Sequence, residues 1–272
     1  MSDPVRMAVV QAKFSNGAVL DNLKLMSEII RVSKQQTPDL QLILFPELAV
    51  TGYNPAREVR TLAEKQNGPA SQFMASIAKE HGLHLAYGYV EAGEGGHVYN
   101  SVILLGPDGQ ILANYRKIHL TSLERGVFDP GHEFVSVDTQ LGRIGLMICW
   151  DLAFPETARV LAVRGSDILL APSAWEKPYD APYRRFAMAR AMDNAVFLAT
   201  CNHIGVSGEL EFFGYSAIYG PDGETLASLG EDAAPGVGHA RLDPAERRGL
   251  QTTFFSMMQE RRKDLYALKG EE

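Results

Sequence analysis

The chain has 272 residues, of which 46% are hydrophobic and 22% charged, so it is long enough to bury a sizeable core, and we expect one domain over residues 1–272. A net charge of −7 with scattered Lys and Arg offers no cationic surface, which argues against nucleic-acid and anionic-membrane partners. No apolar run approaches the roughly 20 residues of a membrane span. A small-molecule partner is therefore favoured.

The cysteine content bears on cofactors and on location. The chain has only 2 cysteines, too few for a metal cluster or a disulfide framework. Neither His-x-Glu nor Cys-x-x-Cys spacing occurs in a form that supports a metal site. We expect no metal and no cofactor, and reduced thiols favour a cytoplasmic location.

The first half of the chain alternates between strand and helix patterns. Residues 7–14 predict a strand, and apolar residues at helical spacing follow until Pro38. The continuous apolar run 40–45 predicts a strand covered on both faces, with Glu47 at its carboxyl end. A helix over 70–81 and a strand over 84–90 come next. Residues 100–117 predict a hairpin around a Pro-Asp-Gly turn, with Lys117 just past its second strand.

The second half repeats this order. We predict strands at 142–149, 167–171 and 195–201, helices at 155–164 and about 181–194, and a hairpin at 214–229. Both hairpins contain Gly-Pro-Asp-Gly, first at 106–109. The repeat indicates two βαβαβ-hairpin halves. Because continuous apolar strands need cover on both faces, we predict an α/β fold, a four-layer α-β-β-α sandwich with internal two-fold duplication.

The segment 241–272 differs in composition from the rest. It is dense in charge but also contains Phe254, Phe255, Leu265 and Tyr266, which a solvated tail does not need. We interpret it as an arm that packs on a neighbouring surface, such as a second subunit.

Cys149 is the first candidate for chemistry, because it follows an apolar strand and precedes a helix. Such a turn exposes a nucleophile and offers backbone N–H groups to an oxyanion. The alternative is a small hydrophobic core residue, the commoner fate of a free cysteine. Cys201 lies within an apolar run and is expected in the core.

Glu47 and Lys117 also lie at predicted strand ends, where ligands collect in α/β folds. A carboxylate in a dry site can serve as the base that a thiol needs. A lysine beside them pairs with the carboxylate and stabilises a developing oxyanion. Taken singly, Glu47 is better explained as a helix-cap or surface carboxylate, and Lys117 as a solvated charge at the end of a hairpin.

A cysteine with a histidine is the rival arrangement, since His119, His132 and His203 are available. No local pattern marks one of them as a base. His119 is adequately explained as a residue in a strand that follows Lys117.

Three motifs resemble those of the nitrilase superfamily of carbon–nitrogen hydrolases. They are Phe-Pro-Glu at 45–47, Tyr-Arg-Lys-Ile-His-Leu at 115–120 and Ile-Cys-Trp-Asp at 148–151. The resemblance implies an α-β-β-α sandwich, oligomers built from a dimer, and a triad of Glu47 as general base, Lys117 as oxyanion cation and Cys149 as nucleophile. It also implies that Glu124 corresponds to an additional glutamate by the triad. Two carboxylates that share one ammonium cannot both ionise freely, so we expect one of Glu47 and Glu124 to hold its proton more tightly.

The predicted reaction is hydrolysis of a C–N bond in a small amide or N-carbamoyl compound through a cysteine thioester. Cys-Trp-Asp looks more like amidases and carbamoyl-amine amidohydrolases than true nitrilases. A nitrilase and a catalytically silent binding subunit stay open as alternatives. The backbone N–H of Trp150 is expected to join Lys117 at the oxyanion.

The substrate pocket is expected beyond the strand ends. Tyr53, Trp150 and Trp175 follow or flank these ends and are candidate pocket residues. The acidic pair Glu176 and Asp180 favours an amine-bearing substrate, whereas the basic pair Arg184 and Arg185 favours a carboxylate. The residues alone do not decide between them.

Overall fold

The computed structural model describes residues 3–230 and 234–265. In the first half the strands are β1 Val5–Gln11, β2 Leu42–Leu44, β3 His84–Ala92, β4 Val98–Leu105 and β5 Ile111–Arg116. In the second half they are β6 Val135–Thr139, β7 Gly142–Leu146, β8 Ile168–Pro172, β9 Phe197–Cys201, β10 Ile204–Ser207, β11 Leu210–Phe213, β12 Ala217–Tyr219, β13 Thr225–Ser228 and β14 Gly236–Leu242. The α-helices are α1 Val19–Gln36, α2 Pro69–His81, α3 Pro155–Val163, α4 Asp180–Met192, α5 Pro244–Gln251 and α6 Met257–Glu260.

The strands form two six-stranded sheets with the same order of pairing. The first sheet runs β14-β1-β2-β3-β4-β5 and the second β6-β7-β8-β9-β12-β13. In each sheet the second, third and fourth strands in this order are parallel to one another. The first, fifth and sixth strands each pair antiparallel with the strand before or after them. The predicted duplication is therefore present in the topology, with β10 and β11 as a separate hairpin.

The two Gly-Pro-Asp-Gly turns have the same local structure. Asp108 Oδ1 accepts the Gln110 N–H at 3.1 Å, and Asp222 Oδ1 accepts the Glu224 N–H at 3.0 Å. In both turns the last glycine has a positive φ, 82° at Gly109 and 86° at Gly223, which glycine adopts at little cost. Each turn reverses the chain between the last two strands of its sheet.

The sheets pack face to face, with the helices on the outer faces. Strand β1 contacts β9, and β3 contacts β8, while α1 packs on α2 and α3 on α4. Cys201 lies fully buried between the sheets, where its Sγ lies 2.8 Å from each of the Val10 and Leu44 carbonyl oxygens and its single thiol hydrogen can be shared between them. The predicted α-β-β-α layering and the core position of Cys201 are confirmed.

Several predicted strands are shorter or shifted in the structure. The first strand ends at Gln11 rather than residue 14, and the strand before Cys149 ends at Leu146. β2 covers only Leu42–Leu44, because Pro46 lacks an N–H for continued pairing and the chain turns there toward Glu47. The prediction that His119 lies in a strand is wrong, since β5 ends at Arg116 and His119 lies in an irregular segment that follows it.

The C-terminal arm packs in part on its own chain. Residues 241–242 belong to β14, which pairs with β1, and Arg247 of α5 forms an ion pair with Asp167 and donates to the Ala195 carbonyl at 2.8 Å. Phe254 is 83% exposed and Leu265 69% exposed. Tyr266 and the rest of the predicted arm lie outside the described residues.

Within residues 3–230 and 234–265, every helix is too short or too polar to cross a bilayer. The same ranges contain no cluster of three or more His, Cys, Asp and Glu side chains suited to a metal ion.

Candidate active site

Three segments that follow strands bring the candidate residues to one end of the sandwich. Glu47 follows β2, Lys117 follows β5, and Cys149 opens a short 3₁₀ helix, Cys149–Ala153, after β7. Glu47, Lys117 and Glu124 are fully buried, and Cys149 is only 4% exposed. The predicted strand-to-helix turn at Cys149 is present, and its φ of 47° is in the left-handed region that few non-glycine residues adopt.

Lys117 is enclosed by two carboxylates. Its Nζ donates to Glu47 Oε1 at 2.7 Å and to both oxygens of Glu124 at 2.8 Å. Glu124 returns to the lysine through a turn, and its Oε2 also accepts the Thr121 N–H at 2.9 Å. A buried cation paired in this way holds its position and its charge.

Asn100 is a further buried member of this cluster. Its Nδ2 donates to Glu47 Oε1 at 2.6 Å and to Glu124 Oε1 at 2.8 Å. The two hydrogen bonds that the Glu47 side chain accepts, from Lys117 and Asn100, thus both fall on Oε1. Glu47 Oε2 has no partner among the described residues. That oxygen is available to accept a proton.

The two carboxyl groups differ in proton affinity. Burial raises the pKa of Glu47 to about 7, with Lys117 acting to lower it and Glu124 to raise it. Burial also acts to raise the pKa of Glu124, but the attraction of Lys117 and its hydrogen bonds hold that pKa below the usual value. Burial alone would lower the pKa of Lys117, yet Glu124 and Glu47 raise it well above the usual value. Glu124 is therefore the anionic partner of a protonated Lys117.

Cys149 is a protonated thiol at neutral pH. Burial raises its pKa well above the usual value, and Glu47 adds to this effect, while Lys117 and a backbone hydrogen bond with Ala174 oppose it. A thiol of this kind becomes a nucleophile only when a base takes its proton. The adjacent carboxyl with a pKa of about 7 can perform that transfer in both directions.

Asp151 holds the turn that carries Cys149. Its Oδ2 accepts the Ile148 N–H at 2.8 Å and the Tyr115 hydroxyl at 2.7 Å. Its Oδ1 lies 2.8 Å from His119 Nδ1, and the His119 ring stacks on Phe154 with ring centroids 3.7 Å apart. His119 is thus engaged in the support of this turn.

The Glu47 backbone is held by its neighbours. His203 Nε2 donates to the Glu47 carbonyl at 2.6 Å, and burial lowers the pKa of His203 to about 4, so this histidine is neutral. A Cβ at Gly88 would lie 2.1 Å from the Leu48 nitrogen, so only glycine permits β3 to pass this close to the segment after Glu47.

His132, the third histidine considered as a base, lines a cavity beside Asn114 and Arg116 that does not include Cys149.

A cavity of about 580 Å³ leads to Cys149. Tyr53, Trp150 and Trp175, the residues proposed from the sequence for the substrate pocket, all line this cavity. Trp175 is held in place by Asn202, whose Oδ1 accepts the Trp175 N–H at 2.8 Å. Glu176, one of the four charged residues considered above for substrate selection, also lines this cavity.

The other charged candidates lie elsewhere. Arg184 and Arg185 line a separate cavity with Tyr215 and Tyr219. Asp180 forms an ion pair with Arg184 at 3.3 Å. Arg184 and Arg185 thus lie outside the lining of the cavity that contains Cys149, which gives no support to the hypothesis that they select a substrate carboxylate.

The fold and these buried groups are those of a cysteine-dependent hydrolase. This chain belongs to the carbon–nitrogen hydrolase family, whose model matches residues 6–251. The predicted family is confirmed.

Similar proteins include both nitrilases and amidases by name. The chain is 35% identical to a probable nitrilase of Schizosaccharomyces pombe, over 91% of this chain and 92% of that protein. It is 30% identical to an omega-amidase of Homo sapiens, over 97% of each. A structure of the amidase from Nesterenkonia sp. AN1 is 28% identical with a TM-score of 0.84, over 97% of this chain and 96% of that one. In that structure, of a Glu-to-Gln variant, the acetamide moiety of fluoroacetamide is covalently added at the active-site cysteine.

Reasoning from the sequence missed Asn100, Asp151 and His203 as parts of this site. Asn100 had a usable signal, because it and Ser101 are the polar residues in a mainly apolar strand, and a buried polar group needs partners. Asp151 was identified only as part of the Ile-Cys-Trp-Asp motif, and its support of the turn at Cys149 was not predicted. His203 gave no local signal, since its contact with the Glu47 carbonyl spans 156 positions of the chain.

Proposed function

We propose that this protein hydrolyses the C–N bond of small amides through a thioester on Cys149. The observation that carries the proposal is a thiol at the end of a 580 Å³ cavity beside Lys117, which is enclosed by Glu47 and Glu124. The similar amidase with an acetamide moiety on its cysteine supports the same nucleophile type.

In the first step Glu47 acts as general base. Its Oε2 takes the Cys149 proton while Sγ attacks the amide carbonyl carbon and forms a tetrahedral oxyanion. Lys117 and the Trp150 N–H stabilise the negative oxygen. The C–N bond then breaks, the amine nitrogen leaves with the proton from Glu47, and an acyl thioester remains on Cys149.

In the second step water hydrolyses the thioester. Glu47 removes a proton from the water, the hydroxide attacks the acyl carbon, and the C–S bond breaks. The carboxylic acid leaves, and the proton returns to Cys149. The pKa of about 7 suits Glu47 to give and take a proton in alternation near neutral pH.

Glu124 has a different proposed role. As the anionic partner of Lys117, it keeps the ammonium charged and accepts a hydrogen bond from the substrate N–H. This contact orients the amide for attack.

Ammonia release from a panel of simple amides, N-carbamoyl amines and nitriles tests the proposal. We expect turnover of amides and loss of turnover in Cys149→Ala. Turnover of nitriles alone would establish a nitrilase instead. No turnover of any class, with wild-type protein shown to be folded by circular dichroism, would indicate a silent binding subunit.

We also propose a cytoplasmic homodimer or higher homo-oligomer. Two free cysteines support the reducing location, and the exposed Phe254 and Leu265 support a partner contact by the arm. Sedimentation of Phe254→Asp against the parent chain tests the contact. An unchanged association state would exclude Phe254 from the interface.

A further inference from the structure

The cavity that leads to Cys149 contains a single carboxylate among its described lining residues, Glu176. Glu47 and Glu124 are buried behind it around Lys117. Glu176 lies two positions after Ala174, whose backbone bonds to Cys149, so its Cα is within about 7 Å of the Ala174 Cα. An acidic group therefore lies close to the reaction centre.

Glu176 forms no ion pair among the described residues. Its carboxylate interacts with its own backbone N–H and with the more distant charge of Lys117, but that lysine is already paired with Glu47 and Glu124. The charged residues next to Glu176 in the sequence form ion pairs elsewhere: Lys177 with Glu211 at 2.9 Å and Asp180 with Arg184 at 3.3 Å. Partial burial is the largest influence on the pKa of Glu176 and raises it, against the lowering effects of its backbone hydrogen bond and Lys117, which reflects the cost of a desolvated anion without an ion-pair partner.

The cavity walls also favour a cation. Trp150, Trp175, Tyr179 and Phe186 line the space around Glu176. The Trp150 and Trp175 rings are 5.5 Å apart, and Trp175 and Phe186 are 6.2 Å apart, between centroids. Aromatic faces attract cations, and this attraction is largest where the cation loses its water.

We propose that the preferred substrate is a short amide with a protonated amine at its far end, and that Glu176 binds this ammonium. The proposal rests on the proposed amide hydrolysis and names its substrate class. The amide group lies at Cys149, and the aminoalkyl chain extends along the aromatic walls to the Glu176 carboxylate. Glu176 is therefore a specificity residue and takes no part in the chemical steps.

Arg125 is the one described basic residue that lines the same cavity, and it is exposed. An exposed guanidinium keeps its hydration and gains little from a bound anion, whereas Glu176 is half-buried. The substrate class that competes with an aminoalkyl amide is therefore an amide with a terminal carboxylate, which Arg125 would bind.

Three amides of matched length separate these classes: γ-aminobutyramide, valeramide and succinamate. We expect kcat/KM to be highest for γ-aminobutyramide. Glu176→Gln should lower kcat/KM for that amide about 10- to 100-fold, the usual loss for a charge-assisted hydrogen bond, and leave valeramide nearly unchanged. Asp180→Asn, which removes a neighbouring charge outside the cavity, is the matched control and should preserve the preference.

A preference for succinamate, or equal losses for γ-aminobutyramide and valeramide in Glu176→Gln, would overturn the assignment while amide hydrolysis stands. Calorimetric binding of the same amides to Cys149→Ala tests the pocket without turnover. Tighter binding of γ-aminobutyramide that depends on Glu176 would support the assignment even if the wild type hydrolysed no amide, a result that would overturn only the proposed function. Equal binding of the charged and neutral amides would overturn the assignment.

Discussion

Lys117 and Glu124 form a two-point ion pair with no exposure to solvent, in which the ammonium nitrogen lies 2.8 Å from both carboxylate oxygens. Glu47 contributes only one oxygen to the same ammonium, at 2.7 Å. This asymmetry explains why the pKa of Glu124 is lowered whereas that of Glu47 is raised to about 7. One carboxylate neutralises the lysine, and the other has a pKa at which it can take up or release a proton near neutral pH.

The two cysteines should differ sharply in reactivity. Cys149 lines the cavity, whereas the Cys201 thiol is enclosed between the sheets, where all its hydrogen bonds are to backbone groups of Val10 and Leu44. We expect iodoacetamide to modify Cys149 first, as read by peptide mass spectrometry. Cys149→Ala should abolish turnover, and Cys201→Ala should retain it with a loss of about 1 kcal/mol in the free energy of unfolding. Preferential labelling of Cys201 would contradict the nucleophile assignment.

Glu47→Gln should lower turnover by about 10² to 10⁴, because the amide keeps the shape and the lysine contact but cannot accept a proton. His132→Asn is the control for the rival cysteine–histidine pair and should remain active, since His132 lines another cavity. Steady-state ammonia release measures both. A collapse in the histidine variant with near-normal turnover in Glu47→Gln would favour the histidine as base.

The pH dependence of kcat/KM should show an acid limb with an apparent pKa near 7. Glu47 must be deprotonated to act as base, so activity rises with pH through its pKa of about 7 and falls below it. The Asn100 hydrogen bond lowers this pKa, so Asn100→Ala should move the limb to higher pH.

Ser101→Ala is the matched control on the same strand, because its hydroxyl donates to Glu91 and away from the triad. Ser101→Ala should leave the apparent pKa of the acid limb unchanged. An acid limb that does not move in a folded Asn100→Ala would mean that Glu47 is not the titrating group.

Glu124→Gln should preserve the fold and the labelling of Cys149 but slow acylation by small amides. The variant loses the anion that accepts the substrate N–H and that holds Lys117 charged. Stopped-flow acylation measures the effect, with the exposed Glu133→Gln as control. If acylation is as fast in Glu124→Gln as in the wild type, Glu124 serves only to support the loop.

Much of the framework follows from the sequence alone. Continuous apolar runs predicted β2 and β8, and the apolar run that leads into Cys149 predicted β7, because a strand covered on both faces needs no polar alternation. The repeated turn motif predicted the duplication, and strand ends marked Glu47, Lys117 and Cys149. These signals are local, since they depend on the residues of one element and its flanking turns.

Only the tertiary structure decided what depends on contacts between distant segments. Asn100 and His203 entered the site through hydrogen bonds to Glu47, 53 and 156 positions away. The pairing of β14 with β1 joins the first and the last strand of the described residues. The division of charge between Glu47 and Glu124, and the placement of Glu176 inside the cavity, follow from burial and from which cation lies nearest. A pKa or a pocket wall is a property of the surrounding space, and residue order alone does not specify that space.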